Sequence, residues 1–129
     1  GLGGAVVIDY SYNANPDCVR AAIEVLRTLG GRLILVLGDM GEVGEQGESF
    51  HREIGRCAAE AGIDELLATG DLAAHAFAEF GQGAVWYAQI EILIKEAIGK
   101  SVAGTTILVK GSRFMRMERI VAALVEETR

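Results

Sequence analysis

Five short runs of mostly branched apolar residues, each followed by a stretch with helical periodicity, constrain the fold of this chain more than any other feature. The runs cover residues 5–8, 33–37, 66–69, 85–88 and 106–109. Repeated strand-and-helix units build a mainly parallel sheet through right-handed crossovers. We therefore predict an α/β fold: a three-layer Rossmann-like domain with helices on both faces of a mainly parallel sheet. Five or six strands are expected, with room for one antiparallel strand.

The stretches between the runs carry the signals of amphipathic helices. The first helix is predicted to begin at Asn15-Pro16, because asparagine caps a helix and proline suits its first turn. The next two cover about residues 46–61 and 72–80, and the last two carry apolar residues spaced over 90–98 and 114–124. In each of the five, the apolar positions fall on one face, as a helix packed on a sheet requires.

The size and composition fit one compact cytoplasmic domain. The 129 residues allow a substantial core, and half are apolar while only 6% are aromatic, as in sheets covered by helices. The net charge of -6 and the lack of a Lys/Arg cluster argue against nucleic acid as a partner. No apolar run approaches the roughly 20 residues that span a bilayer, and no signal peptide is visible, so we expect no membrane partner. Cys18 and Cys57 lack metal-ligand spacing and are expected to be reduced thiols.

Polar residues follow several of the predicted strands, and in parallel sheets ligands gather beyond the carboxyl ends of the strands. The first such loop offers an acid, a phenol and two amides, which together can hydrogen-bond a purine edge or a ribose. These residues are Asp9, Tyr12, Asn13 and Asn15. For Asn15 alone a helix cap is the simpler explanation, and for the other three a structural turn is an equal alternative.

Two further loops carry charged groups after a strand. Asp39 follows the second strand, where a carboxylate could hold an ammonium group or serve only as a turn acid. Lys110, Gly111, Ser112 and Arg113 lead from the last strand into the last helix. Free backbone N–H groups, a hydroxyl and two cations at a helix start favour a carboxylate or phosphate site over a serine cap with two solvated cations.

Several familiar motifs are absent. Residues 99–101 (GKS) imitate the end of a P-loop, but they end a helix, and Ile94 stands where the leading glycine is required. No Gly-x-Gly-x-x-Gly follows a strand, which argues against a dehydrogenase. His51 and His75 lie in predicted helices away from any nucleophile pattern, so we expect structural roles at surface or partly buried positions. We assign no catalytic and no metal-binding residue.

Three ordered segments resemble one known family. They are residues 8–17 (IDYSYNANPD), 37–44 (LGDMGEVG) and 109–113 (VKGSR). Together with residues 47–55 (GESFHREIG), they resemble the carboxy-terminal domain of Mur ligases of the MurF type, and the resemblance extends over nearly the whole chain. It implies that residues 1–129 are the Mur ligase C-terminal domain of a larger, three-domain chain. An opening on Gly1, without Met, also suggests a fragment.

The resemblance also implies a reaction. In Mur ligases of this type, ATP phosphorylates the carboxylate of a UDP-MurNAc-peptide, and the amine of D-alanyl-D-alanine attacks the acyl phosphate and displaces phosphate. We therefore expect part of an ATP-dependent amide-bond-forming ligase of peptidoglycan precursor synthesis, with those three molecules as partners. Mg and the phosphates are expected to bind mainly to the central domain, which this domain contacts. The fragment alone is expected to be inactive.

By the same resemblance, the polar loops take separate roles. The residues that match the motif facing the adenosine part of ATP are Asp9, Tyr12, Asn13 and Asn15. The residues that match the segments facing the incoming dipeptide are Asp39, Lys110, Gly111, Ser112 and Arg113. The family usually has a second acid where this chain has Tyr10. A tyrosine cannot accept hydrogen bonds from both ribose hydroxyls as a carboxylate can.

Two other classes of protein fit parts of the pattern. A response-regulator receiver domain also has five β/α units, and Asp9, Asp71 and Lys110 lie near its usual functional positions. Such a domain requires an acidic pair after the first strand, where Tyr10 stands, and Asp71 equally fits a helix cap. The other alternative is a free-standing nucleotide-binding module, which a P-loop upstream of Gly1 would exclude.

Overall fold

The computed structural model contains a sheet of five strands. It describes residues 6–9, 21, 23–24, 27–28, 31–40, 45–111 and 121–124. The strands are Val6–Asp9 (β1), Arg32–Leu37 (β2), Glu65–Thr69 (β3), Ala84–Tyr87 (β4) and Thr105–Lys110 (β5). All pairs are parallel, and the order across the sheet is β1-β5-β2-β3-β4. The predicted parallel sheet is confirmed, and the described residues contain neither a sixth strand nor an antiparallel one.

Three helices are described from end to end: Gly47–Glu60 (α1), Ala73–Phe80 (α2) and Ile90–Gly99 (α3). They agree closely with the second, third and fourth predicted helices. Helical backbone also occurs at isolated residues between 21 and 28 and at 121–124, within the first and last predicted helices. The predicted helix start at Asn15-Pro16 lies outside the described residues. Within the described ranges, no helix is long and apolar enough to cross a membrane.

The helices lie on the two faces of the sheet as the strand order dictates. The chain moves from β1 towards β4 through three crossovers and then returns from β4 to β5 in the opposite direction. Right-handed crossovers therefore put the early helices on one face and α3 on the other. The core agrees with this arrangement: Ile23, Phe50 of α1 and Ala76 of α2 share one apolar cluster, whereas Leu93 of α3 and Leu124 share the second.

β2 is the strand on which both layers pack. Leu33, Leu35 and Leu37 belong to the first cluster, and Ile34 and Val36 belong to the second, which is the period of two that a strand imposes. A strand that is apolar on both faces is typical of the interior of a parallel sheet. The uninterrupted LILVL sequence is therefore what allows helices to cover both faces of β2.

The reversal of chain direction creates a switch point beside β5. The segment after β2 leads to α1 on one face, whereas the chain after β5 reaches residues 121–124 on the other face. Where neighbouring strands send their loops to opposite faces, a crevice forms at the carboxyl ends of the strands, and ligands of open α/β sheets bind there. The crevice between β2 and β5 is therefore the first place to look for a site.

Candidate functional site

The carboxyl ends of β1, β5 and β2 lie side by side. In the sheet register, Asp9 of β1 stands opposite Val109 of β5, and Leu37 of β2 stands opposite Lys110. The N–H of Gly38 donates to the carbonyl oxygen of Lys110 at 2.8 Å, which continues the pairing one residue beyond β2. The three loops that were predicted to bind ligands therefore begin next to one another. We call this region the carboxyl edge.

Asp39 lies two residues beyond β2 and is almost enclosed, with 9% of its surface exposed. Its Oδ1 accepts a hydrogen bond of 2.7 Å from the backbone N–H of Ala73, the first residue of α2. Negative charge is favourable at a helix start, where the N–H groups lack partners within the helix. The carboxylate of Asp39 thus caps α2 from a different loop. Asp71 does not cap this helix, because the N-cap position is Leu72, and the side chain of Leu72 makes no hydrogen bond to the helix.

Gly70 allows the loop after β3 to close over the Asp39 carboxylate. Its φ is 105°, and a Cβ built at this position would lie 2.6 Å from Cγ of Asp39. Any other residue would meet both backbone strain and a steric clash here. The carbonyl oxygen of Gly70 accepts a hydrogen bond of 2.9 Å from Nε1–H of Trp86 in β4. The side chain of Trp86 therefore fixes this loop.

His51 joins the two ends of the segment between β2 and α1. Its Nε2 accepts a hydrogen bond of 2.9 Å from the N–H of Met40, and its Nδ1 lies 2.6 Å from the carbonyl oxygen of Gly47. Because Nε2 faces a donor and Nδ1 faces an acceptor, we infer a neutral ring with its proton on Nδ1. Burial lowers the pKa of His51, although the Gly47 carbonyl and the charge of Asp39 act in the opposite direction. A lowered pKa agrees with a neutral ring.

The two histidines differ in their surroundings. His51 is fully buried, so the expectation of a surface or partly buried position is wrong for it. The ring can be buried because both of its nitrogens have hydrogen-bond partners. The side chain of His75 is 33% exposed and its Nδ1 lies 3.4 Å from Oε1 of Glu48, which agrees with the structural role predicted for it.

Lys110 ends β5 and is fully buried, and Gly111 beside it is buried as well. An ammonium group in such a position produces an electric field that solvent and salt screen only weakly. Its backbone is joined to Gly38, the residue before Asp39. The carboxyl edge therefore contains a lysine at the end of β5 and an aspartate in the adjacent loop, both almost withdrawn from water.

Four of the predicted site residues lie in the described ranges, and the sheet brings their backbones to one edge: Asp9, Asp39, Lys110 and Gly111. The others fall outside the described residues: Tyr12, Asn13, Asn15, Ser112 and Arg113. The ligand roles of both groups stay predictions. Among the described side chains, no group of three His, Cys, Asp or Glu is arranged to hold a metal ion.

Sequence reasoning assigned no role at this edge to two residues, His51 and Gly70. A signal for His51 was available, because it lies on the inward face of α1 with Phe50, Ile54 and Ala58. A polar side chain at an inward helical position requires a buried partner. For Gly70 no local signal was decisive, since the carboxylate that excludes a side chain there belongs to Asp39, in the preceding β/α unit.

Comparison with known protein families decides the class of this domain. The family model described as Mur ligase, glutamate ligase domain, matches residues 1–113. The chain belongs to the Mur ligase family. The predicted resemblance is confirmed, and the comparisons give no support to a receiver domain.

Curated relatives of this Mur ligase domain are considerably longer than the domain itself. The UDP-N-acetylmuramoyl-tripeptide--D-alanyl-D-alanine ligase of Escherichia coli K12 is 38% identical over 128 residues, which cover 94% of this chain and 27% of the relative. The enzyme of the same name from Bacillus subtilis 168 is 35% identical over 130 residues, covering 95% of this chain and 28% of the relative. The chain thus spans little more than a quarter of the length of these relatives.

Solved structures of Mur ligases share the fold of this domain. MurF ligase from Thermotoga maritima in complex with ADP superimposes with a TM-score of 0.85 at 25% identity, covering 99% of this chain and 30% of that one. MurF from Acinetobacter baumannii gives a TM-score of 0.80 at 33% identity, covering 95% and 28%. A domain from a putative ligase of Haemophilus ducreyi, 16% identical, matches with a TM-score of 0.67 over 96% of its own length, which shows that the fold also occurs as a separately crystallised domain.

Proposed function

We propose that this chain is the carboxy-terminal domain of an ATP-dependent ligase that joins UDP-MurNAc-peptide to D-alanyl-D-alanine in peptidoglycan precursor synthesis. The relatives from E. coli and B. subtilis carry the name of that ligase. The observation that carries the proposal is the meeting of Asp9, Asp39 and Lys110 at one edge of the sheet. The domain would form one wall of the active site, in a larger protein that we expect in the cytoplasm.

D-alanyl-D-alanine is a zwitterion, so its binding site has to meet two opposite charges. Asp39 offers a carboxylate to the ammonium group, and the bond from the Ala73 N–H to Oδ1 fixes the orientation of that carboxylate. Lys110, on the adjacent loop, attracts the dipeptide carboxylate through a weakly screened field. Gly111, Ser112 and Arg113 add N–H groups, a hydroxyl and a guanidinium to the same anion site.

ATP is proposed to bind beside the dipeptide, at the loop after β1. Asp9, Tyr12, Asn13 and Asn15 would face its adenosine part, and the ADP bound to the similar T. maritima enzyme supports a nucleotide site in the family. ATP supplies the phosphoryl group that activates the precursor carboxylate. We propose, from the resemblance to Mur ligases, that Mg and the phosphates bind mainly to the central domain. The proposed role of this domain is to bind and orient the dipeptide and the adenosine part of ATP.

The test is the reaction of the full ligase chain that contains this domain. With UDP-MurNAc-tripeptide, ATP and D-alanyl-D-alanine, we expect an amide product by mass spectrometry and release of one phosphate for each bond formed. D-alanine alone should be a poor substitute, because it spans less of the site than the dipeptide. Failure to form the dipeptide product would overturn the proposed function.

The 129-residue chain by itself provides a complementary test. We expect no ATP hydrolysis from it, because it has no P-loop to hold the β- and γ-phosphates. Phosphate release by the purified chain above a buffer control would instead favour a free-standing nucleotide-binding module. A parent chain without the Gly-x-x-x-x-Gly-Lys-Ser/Thr pattern would support the same conclusion.

A further inference from the structure

The helix α1 begins without the usual side-chain cap, and a histidine inside the helix organises the segment before it. The cap position Gln46 makes no side-chain hydrogen bond to the helix. The ring of His51 instead bonds to the carbonyl oxygen of Gly47, at the start of the helix, and to the N–H of Met40, just after β2. One rigid ring therefore fixes the distance between the two ends of residues 40–47. We call this contact the His51 bridge.

The His51 bridge lies next to the residue that is proposed to hold the ammonium group. Met40 follows Asp39 directly, so the bond to the Met40 N–H sets the backbone path on which Asp39 depends. The carboxylate of Asp39 is held at its other end by the N–H of Ala73. The N–H of Gly38, on the other side of Asp39, is bonded to the carbonyl oxygen of Lys110. The bond to His51 is therefore the one that holds the backbone on the far side of Asp39 from the sheet.

We propose that His51 is a positioning residue for dipeptide binding, which acts by holding the segment after β2 so that Asp39 stays at the carboxyl edge. The inference rests on the proposed function of that edge. It requires the ring to be neutral, since a proton on Nε2 would face the Met40 N–H, and two donors cannot bond to each other. The ionisable groups that act on the ring are Asp39, which favours its protonation, and His75, which opposes it.

Two amide variants of the full ligase separate the two bonds of the bridge. The amide oxygen of glutamine can take the place of Nε2, so His51→Gln keeps an acceptor for Met40 and loses the bond to Gly47. The amide nitrogen of asparagine can take the place of Nδ1, so His51→Asn keeps the bond to Gly47 and loses the one to Met40. Both variants remove the ring and keep a neutral polar group.

The kinetic expectation differs between the two variants. His51→Asn should raise the KM for D-alanyl-D-alanine roughly five- to tenfold, as the loss of one buried hydrogen bond implies, with kcat and the KM for ATP much less affected. His51→Gln should raise the dipeptide KM distinctly less. Ile54→Val, a change in the buried apolar face of the same helix, serves as the stability control and should lower Tm without raising the dipeptide KM.

Equal KM increases in both amide variants, or increases that follow Tm in all three, would overturn the positioning role. NMR of the wild-type ligase gives an answer that does not depend on the variants folding. It should show the Nδ1–H tautomer of His51 and strong protection of the Met40 amide against hydrogen exchange, with a protection factor, taken relative to the intrinsic rate at each pH, that falls on acidification. An Nε2–H tautomer or an unprotected Met40 amide would refute the bridge. If the wild-type ligase does not use the dipeptide, the proposed function fails, whereas these NMR signals still judge the bridge.

Discussion

Charged side chains are partly exposed and paired at the amino end of the parallel sheet, whereas they are buried at its carboxyl end. At the amino end, Glu65 pairs with Arg32 at 2.7 Å and with Lys100 at 2.8 Å, and the two cations are 53% and 32% exposed. At the carboxyl end, Lys110 has no exposed surface and Asp39 has 9%. The amino-end charges neutralise one another at the surface, where ion pairs contribute little to stability. The carboxyl-end groups are withdrawn from water, which carries an energetic cost that buried partners have to offset.

The glycines at the two ends show the same contrast. At the amino end, a Cβ on Gly83 would lie 2.7 Å from the backbone oxygen of Asp64, so this glycine serves a close approach of two backbone segments. At the carboxyl end, a Cβ on Gly70 would meet the carboxylate of Asp39. One glycine therefore closes a turn, whereas the other makes room for the side chain of Asp39. Together with the proposed function, the comparison predicts that changes at the amino end affect stability alone and that changes at the carboxyl edge also affect ligand binding.

The largest expected effects come from alanine at these two glycines. Gly70 and Gly83 have φ values of 105° and 96°, so Gly70→Ala and Gly83→Ala should each lower the free energy of unfolding by about 2–4 kcal/mol through strain and steric clash. Only Gly70→Ala should also raise the dipeptide KM of the full ligase, because only it displaces Asp39. Urea unfolding and steady-state kinetics on both variants provide the check. An equal increase of the dipeptide KM in Gly83→Ala would contradict the difference between the two ends of the sheet.

The second comparison uses one lysine from each end. Lys110→Met should raise the dipeptide KM roughly tenfold or more, as for the loss of a charge-assisted interaction. It should also lower the free energy of unfolding, because the buried groups that interact with Lys110 lose their partner. Lys100→Met removes an ion pair with Glu65 and should change stability by less than about 1 kcal/mol, leaving both KM values unaltered. Unchanged dipeptide kinetics in Lys110→Met would show that Lys110 has only a structural role.

Acidification should weaken the two ends of the sheet in different pH ranges. Burial lowers the pKa of His51 from 6.5, so its stabilising contribution is complete above that pH and is lost as the pH falls from there towards the lower folded pKa. Burial raises the pKa of Glu65, but bonds to Lys100 and Arg32 outweigh it, and the net pKa falls below 4.5. The contribution of Glu65 is therefore lost only below that pH. As the pH falls, the Tm of the unaltered protein should decline in two steps. His51→Gln should remove the first step and Glu65→Gln the second. A single step, the same in the unaltered protein and in both variants, would contradict this.

The smallest expected effect concerns the loop after β1, where the adenosine part of ATP is proposed to bind. Tyr10→Asp in the full ligase restores the acid that the family usually has and should lower the KM for ATP about two- to fivefold, through hydrogen bonds to ribose hydroxyls. The dipeptide KM should not change. Kinetics with varied ATP at saturating dipeptide provide the check, with Tyr10→Phe as the control that adds no acceptor. Equal responses of both substrates would mean that the loops do not have separate roles.

Local sequence patterns predicted the sheet well, because the signals of its strands are local. The apolar run at 33–37 is β2 apart from its first residue, since branched residues and flanking glycines mark a buried strand. The helix cap at Asp71 was wrong because the actual cap is Asp39, which comes from the preceding β/α unit and which no local pattern can report. The burial of His51 was missed although its inward position on α1 indicated it; what no local pattern could report is its partner, the N–H of Met40 beyond the helix. Contacts between loops were therefore the part of the site that the sequence could not supply.

Hydrogen exchange of the full ligase, measured with and without D-alanyl-D-alanine in the presence of a non-hydrolysable ATP analogue and the precursor, tests the central claim most directly. Peptides that cover residues 38–40 and 110–111, at the carboxyl edge, should exchange more slowly when the dipeptide is present. Peptides that cover Arg32 and residues 100–105, at the amino end, should not change. Protection at the amino end, or none at the carboxyl edge with the site saturated, would contradict the assignment of dipeptide binding to the carboxyl edge.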